Sequence, residues 1–100
     1  MEIIWDSKKN RANLKKHGIS FEEASDLFKA PNGLILELYD FEHSIEEDRI
    51  ISIGPILRGT IVVVSVERDD GNTISIISAR FATKKEQTLY SEEIARISHE

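Results

Sequence analysis

The chain contains no cysteine. That absence excludes disulfides, thiolate metal sites and cysteine nucleophiles together, and it agrees with a reducing compartment. Proline occurs twice and glycine five times, without a Gly- or Ser-rich stretch that would mark a linker. No apolar run approaches the ~18 residues of a membrane span. The opening Met1-Glu2-Ile3-Ile4-Trp5-Asp6 lacks the basic-then-apolar form of an export signal. A soluble, unexported, cytoplasmic protein without a membrane partner is expected. Also missing are a Gly-rich phosphate loop, a Gly-x-Ser-x-Gly elbow and a His-Glu-x-x-His pair. His17, His43 and His99 share no ligand spacing, so neither a metal nor a nucleotide cofactor is expected.

What is present is ordinary globular composition: 100 residues, 40 % hydrophobic and 31 % charged. One domain spanning residues 1–100 is the expectation, since two self-sufficient cores would not fit. Thirteen Lys and Arg against 18 Asp and Glu leave a net charge of −5, which argues against a wholesale nucleic-acid binder. The distribution is more informative than the sum. Residues 8–17 carry Lys8, Lys9, Arg11, Lys15, Lys16 and His17 with no acid. Residues 37–48 carry Glu37, Asp40, Glu42, Glu46, Glu47 and Asp48 with no Lys or Arg. Two patches of opposite sign suit two partners, or else two solvated surfaces.

Local patterns give an element order of β-α-α-β-β-β-β-α. Ile3-Ile4-Trp5 reads as a first strand. Asp6 can cap a helix over 7–17 that Gly18 ends. Ser20 and Glu23 form a capping-box pattern for a second helix near 21–29, with Phe21, Ala24, Leu27 and Phe28 facing the core. Ala30-Pro31-Asn32-Gly33 should turn the chain. Leu34–Tyr39, Arg49–Ile53, Thr60–Glu67 and Thr73–Ala79 are β-rich runs, and Asp69-Asp70-Gly71-Asn72 should join the last two as a hairpin. Thr83 and Glu86 open a closing helix with an apolar stripe of Tyr90, Ile94 and Ile97. The fold class expected is α+β, an antiparallel sheet with two N-terminal helices and one C-terminal helix gathered largely on one face.

Chemistry must come from the cations. Arg49 opens a strand, and Arg68 and Arg80 close two others. By alternation Arg68 shares a face with Val62, Val64 and Val66, and Arg80 with Ile74 and Ile76. A guanidinium on a core-facing position must emerge at a sheet end or meet a carboxylate such as Glu67 or Glu47. Lys9, Asn13 and Lys16 line one helix face, which could follow a phosphate backbone or simply be solvated. His17 beside Gly18 can interact with the helix C-terminus or move a proton near neutral pH. His43-Ser44 reads as a turn.

Trp5-Asp6, Lys9, Asn13 and Lys16-His17-Gly18-Ile19-Ser20-Phe21-Glu22-Glu23-Ala24 form a first block. Asp40-x-x-His43-Ser44-x-x-Glu47-x-Arg49 with Gly54 forms a second. Val62-Val63-Val64, Glu67-Arg68 and Ile76-Ile77-Ser78-Ala79-Arg80-x-Ala82-Thr83 with Glu86 and Tyr90 form a third. Together, over about residues 4–90, these blocks resemble the BrnT family of bacterial toxins. The chain departs from the family's pattern at Ser75 and Phe81, where relatives are more basic. The resemblance implies a RelE-like fold and a metal-independent endoribonuclease toxin of a type II toxin–antitoxin pair. It also implies a BrnA-like DNA-binding antitoxin, through which alone operator DNA would be reached, and a homodimer within the complex. The site residues implied are Arg80, Arg49, Arg68, Glu47 and His17 for catalysis, with Lys9 and Lys16 on the RNA. The alternative is a non-catalytic antitoxin-binding module with a decayed active site. The acidic stretch, through Asp40, Glu46 and Asp48, or an exposed face of the N-terminal helices, would receive the antitoxin.

Overall fold

A computed structural model describes residues 1–29, 34–42 and 47–98. The expected turn at 30–33, together with His43, Ser44, Glu46 and His99, lies outside the described residues. The elements are β1 (Glu2–Ile4), α1 (Ser7–His17), α2 (Phe21–Ala24), a 3-10 turn (Ser25–Lys29), β2 (Leu36–Tyr39), β3 (Arg49–Ile56), β4 (Gly59–Arg68), β5 (Thr73–Phe81) and α3 (Lys84–Ser98). The α+β class is as expected, and no helix among the described residues is long and apolar enough to cross a membrane.

Helix boundaries follow the capping chemistry. Gly18 ends α1 at φ 73°, and its N–H donates to the Leu14 carbonyl; a side chain there would strain the backbone. Asp6 occupies the N-cap with extended backbone, yet its side chain makes no capping bond. Ser20 Oγ accepts from Glu23 N–H at 3.1 Å, and Thr83 and Glu86 complete a reciprocal box with bonds of 2.9 and 3.2 Å. The helix expected over 21–29 is α-helical only to Ala24. Ser25 Oγ donates to the Glu22 carbonyl at 2.6 Å, a side-chain competitor that accompanies tightening of the next turn to 3-10 form.

The five strands of the described residues lie in the order β1-β5-β4-β3-β2. The sheet is mixed, which corrects the antiparallel expectation: β1 runs parallel to β5, with Glu2 opposite Thr73 and Ile4 opposite Ser75. Hairpin turns dictate direction only between strands adjacent in sequence, and no turn joins β1 to β5. A second correction concerns the helices. Ile61, Val63, Ile76 and Ala79 pack with Ile19, Phe21, Ala24 and Leu27 on one face. Val62 and Ile53 pack with Ala82 and Tyr90 of the C-terminal segment on the other. Successive strand residues point oppositely, so α2 and its flanking residues cover one face and α3 part of the opposite one, while α1 lies along the outer edge of β5.

A third correction follows from the register of β5. Val64 pairs with Ser78 and the next residue, Ser65, with Ile76. Ile77 is therefore the extra residue of a bulge, and alternation along β5 reverses there. Arg80 pairs with Val62 and lies on the face opposite Ile76, the reverse of the simple count.

The core centres on Phe21 and Leu27, both fully buried; side chains of this size contribute about 1.5–3 kcal/mol each on burial. Trp5 meets the Phe21 ring edge-on at 6.3 Å. A Cβ at Gly54 would stand 2.6 Å from Leu27 Cδ1 and 3.2 Å from the Leu34 carbonyl, so the missing side chain lets these segments close on β3.

Asn13 joins α1 to the sheet. Its carboxamide donates to the carbonyls of Ala79 (2.7 Å) and Ile19 (2.9 Å) and accepts from Ala79 N–H at 3.1 Å. Asn13, for which helix-face spacing left phosphate contact or solvation open, is thus buried and used up in a peptide-like pairing with the outer edge of β5. Asn13→Ala should lower stability by about 2–4 kcal/mol, because it strands a buried N–H and two carbonyls. Urea unfolding checks this, and a loss below about 0.5 kcal/mol would be a neutral surface effect.

Candidate functional site

Cross-strand partners share a face, so the register maps which residues lie on the face that α3 packs against. Arg49 lies opposite Val66, and Val66 opposite Ser75. Ile51, Val64 and Ser78 form the next row, and Arg68 lies opposite Thr73. Arg49, Arg68 and Arg80 all belong to this face. They do not form one cluster. Arg49 and Arg68 sit on neighbouring strands with Cα atoms ~8 Å apart by ladder spacing, whereas Arg80 lies ~16 Å from Arg49 toward the far end.

Glu47, just before β3, joins the first pair: its carboxylate is 2.8 Å from Arg68 Nη2, and both side chains are about half exposed. The segment leading into β3 is tied to β2 through Asp40 N–H, which donates to the Arg49 carbonyl at 2.9 Å.

Arg80 is committed elsewhere. Its Nη1 and Nη2 donate to the two Glu86 carboxylate oxygens at 2.7 and 2.8 Å. The same carboxylate accepts from Thr83 N–H, so the pair fastens the end of β5 to the first turn of α3. The Arg80 hydrogen bonds, with help from the Thr83 backbone, hold the Glu86 carboxyl down at about 2, while Arg80 is raised by its carboxylate partner.

α1 supplies a second group. Lys9, Lys16 and His17 line a cleft of about 280 Å³ with Ala12, Asn13, Ile77 and Ser78. Lys9 and Lys16 are exposed and His17 is half-buried. The cleft opens where the bulge at Ile77 interrupts β5, and Ser78 belongs both to its wall and to the open sheet face. By ladder spacing it stands ~12 Å from Arg49. Between the two cationic groups the sheet carries small or apolar side chains, of which Ser75, Ser78, Val64 and Ile51 are half-buried and Val66 is buried.

Arg58 is the functional-looking cation that sequence reasoning missed. From the β3–β4 turn it grips Glu23 with bonds of 2.7 and 2.6 Å and donates to the Gly18 carbonyl at 2.8 Å. Its guanidinium lies 5.1 Å from the Phe81 ring centre, and Arg58 lowers the Glu23 carboxyl. No periodicity flags an arginine in a hairpin turn. It secures the loop that follows His17. Among the described residues, no group of three His, Asp or Glu side chains could hold a metal ion.

Because folding lowers the Glu86 pKa, its contribution is present above the unfolded value near 4.5 and disappears as pH falls through about 2. Glu86→Gln should therefore cost about 1–2 kcal/mol at pH 7, discounted for the exposure of Arg80. The gap from wild type should narrow between about pH 4.5 and 2 in denaturant titrations at stepped pH. A constant gap across that window would dissociate Glu86 from Arg80.

No curated protein matches the chain. A family model described as the ribonuclease toxin BrnT of type II toxin–antitoxin systems matches residues 5–86. That span begins just after β1 and takes in both N-terminal helices, strands β2 to β5 and the Glu86 anchor, and the chain accordingly belongs to the BrnT family of ribonuclease toxins.

Proposed function

We propose that the chain cleaves RNA on the open sheet face without a metal ion, and that a BrnA-like antitoxin silences it in the cytoplasm. The supporting observation is the gathering of Arg49, Arg68 and Glu47 at one border of a small-residue floor, with the Lys9–Lys16–His17 cleft at the other. RNA supplies its own nucleophile, the 2′-hydroxyl beside the scissile phosphate. The protein must take that proton, stabilise added charge on the phosphoryl oxygens and protonate the leaving 5′-oxygen.

Arg49 and Arg68 suit the second task, since a guanidinium fork donates two parallel hydrogen bonds to a phosphate. Arg68 begins paired with Glu47, an exposed pair whose separation costs about 0–1 kcal/mol. Phosphate binding at Arg68 releases the Glu47 carboxylate to accept the 2′-hydroxyl proton. Lys9, Lys16 and His17 lie too far away for the same phosphate and hold a neighbouring one, and Glu47, protonated by the 2′-hydroxyl, returns that proton to the leaving 5′-oxygen. Arg80 anchors α3 through Glu86 and supports the floor rather than touching the reacting atoms. Operator DNA is reached only through the antitoxin, and a homodimer belongs to the assembled complex.

The Arg68–Glu47 and Arg80–Glu86 pairs favour a second reading, a non-catalytic antitoxin-binding module whose arginines are all internally satisfied. One assay separates them. Purified chain should cleave RNA, and Arg49→Ala or Arg68→Ala should slow it on the order of a hundredfold with the fold intact by circular dichroism. Arg80→Ala should act mainly through lowered stability. Equal cleavage by Arg49→Ala, Arg68→Ala and wild type would remove both from the chemistry, and no cleavage by wild type would leave the binding module. Lys9→Gln with Lys16→Gln should flatten the salt dependence of RNA binding by about two phosphate contacts, measured as the slope of log affinity against log salt.

A further inference from the structure

β2 ends the sheet, and among the described residues no strand pairs with its outer edge. The ladder determines which backbone groups that edge presents. Asp40 N–H donates to the Arg49 carbonyl, which makes these two a hydrogen-bonded pair. By the alternation of antiparallel ladders, Leu38 with Ile51 and Leu36 with Ile53 are hydrogen-bonded pairs as well. The N–H and C=O of Glu37 and Tyr39 consequently point outward.

Edges of this kind are usually protected by lysine, proline or a bulge. β2 has none of these. Its side chains are instead apolar on one face and mixed on the other, where Glu37 lies beside Tyr39. Leu36 and Leu38 project on the face of α3, and Tyr39 on the other with the Phe41 ring against it at 4.6 Å. Leu38 and Tyr39 are each 40 % exposed and Phe41 is 84 % exposed. Around them lie the exposed acids Glu37, Glu42 and Asp48, in a stretch that holds no Lys or Arg from 37 to 48.

We propose that this edge receives an extended basic segment of the antitoxin as an added strand, with backbone bonds to Glu37 and Tyr39. The inference rests on the family's having a protein antitoxin and names where and how it docks. The charge selects the occupant. A second copy of the chain would set β2 against an identical acidic edge, and like charges across strands repel. An RNA strand would meet carboxylates. A polypeptide with alternating apolar residues and lysine or arginine satisfies the edge, covers Leu38 and Tyr39, and meets Glu37, Glu42 and Asp48 with complementary charge. It would also lie two strands, ~10 Å, from β3, which carries Arg49.

Hydrogen exchange on the unaltered chain, free and bound to its cognate antitoxin, tests this without reference to nuclease activity. The Glu37 and Tyr39 amides should exchange quickly in the free protein and become protected at least about tenfold in the complex, whereas Leu38 is protected in both. Glu37→Pro provides the second arm: it deletes an outward donor without taking a bond from β3. Antitoxin affinity measured by calorimetry should fall about tenfold or more, while the urea midpoint and RNA cleavage by the free chain stay unchanged. Unprotected Glu37 and Tyr39 amides in a formed complex would overturn the proposal. So would full antitoxin affinity in a folded Glu37→Pro chain, or protection that appears equally on self-association without antitoxin.

Discussion

The architecture depends on one side chain that behaves as backbone. β1 covers β5 only as far as Ser75, and beyond it the outer edge of β5 would face solvent or an unpaired helix. Asn13 substitutes for the missing strand, giving Ala79 both a donor and an acceptor while also reaching Ile19. A primary amide matches the peptide group in donors and acceptors, so it can complete a ladder from within a helix. No buried side-chain nitrogen or oxygen among the described residues lacks a hydrogen-bond partner. Fixing Asn13 fixes its neighbours on the same helix face, Lys9 and Lys16, beside the bulge at Ile77. The basic border of the open face is thereby a consequence of how a sheet edge is closed.

A net acidic chain can still present a cationic surface if the signs are sorted in space. The lysines of α1 lie at the β5 border, and exposed acids stand at β2 and the start of β3, on α2 and the turn after it, and at the β4–β5 turn beside Arg68, where Glu67, Asp69 and Asp70 share a pocket with it. Between them the open face carries guanidinium groups over small and β-branched residues. Two kinds of ion pair occur here with different consequences. Arg80 and Glu86 form a bidentate, partly covered pair integrated with a helix cap, and they behave as a structural rivet. Arg68 and Glu47 form a single, half-exposed contact that a phosphate can replace. Arg58 adds a third, tying the turn between β3 and β4 to the loop after α1, so the helix that carries His17 is fastened at both its middle and its end.

Much of this was legible locally. The extent of α1, its Gly18 terminus, the Thr83–Glu86 box and the last hairpin follow from short-range chemistry, and the structure bears them out. The failures share one cause, which is that tertiary partners are invisible to local patterns. Nothing in the neighbourhood of Ile3 announces a parallel partner some 70 residues away. The bulge at Ile77 has no glycine to mark it, and without it alternation put Arg80 on the wrong face. Asn13 looked like one more polar residue in a basic row. Glu47, Arg49 and Arg68 could be named as candidates, but only the register shows that Arg49 and Arg68 are neighbours while Arg80 is not.

The central claim is that RNA lies across the open sheet face from the α1 cleft to Arg49 and Arg68. Amide chemical-shift mapping with a 2′-O-methyl oligoribonucleotide, which binds but lacks the nucleophile, examines it directly. The account predicts perturbations at Lys16, Ser75, Ser78, Val64, Val66, Arg49 and Arg68, with α2 and the outer surface of α3 unaffected. Perturbations confined to the helices, with the signals of Val64, Val66 and Arg49 unmoved, would contradict it.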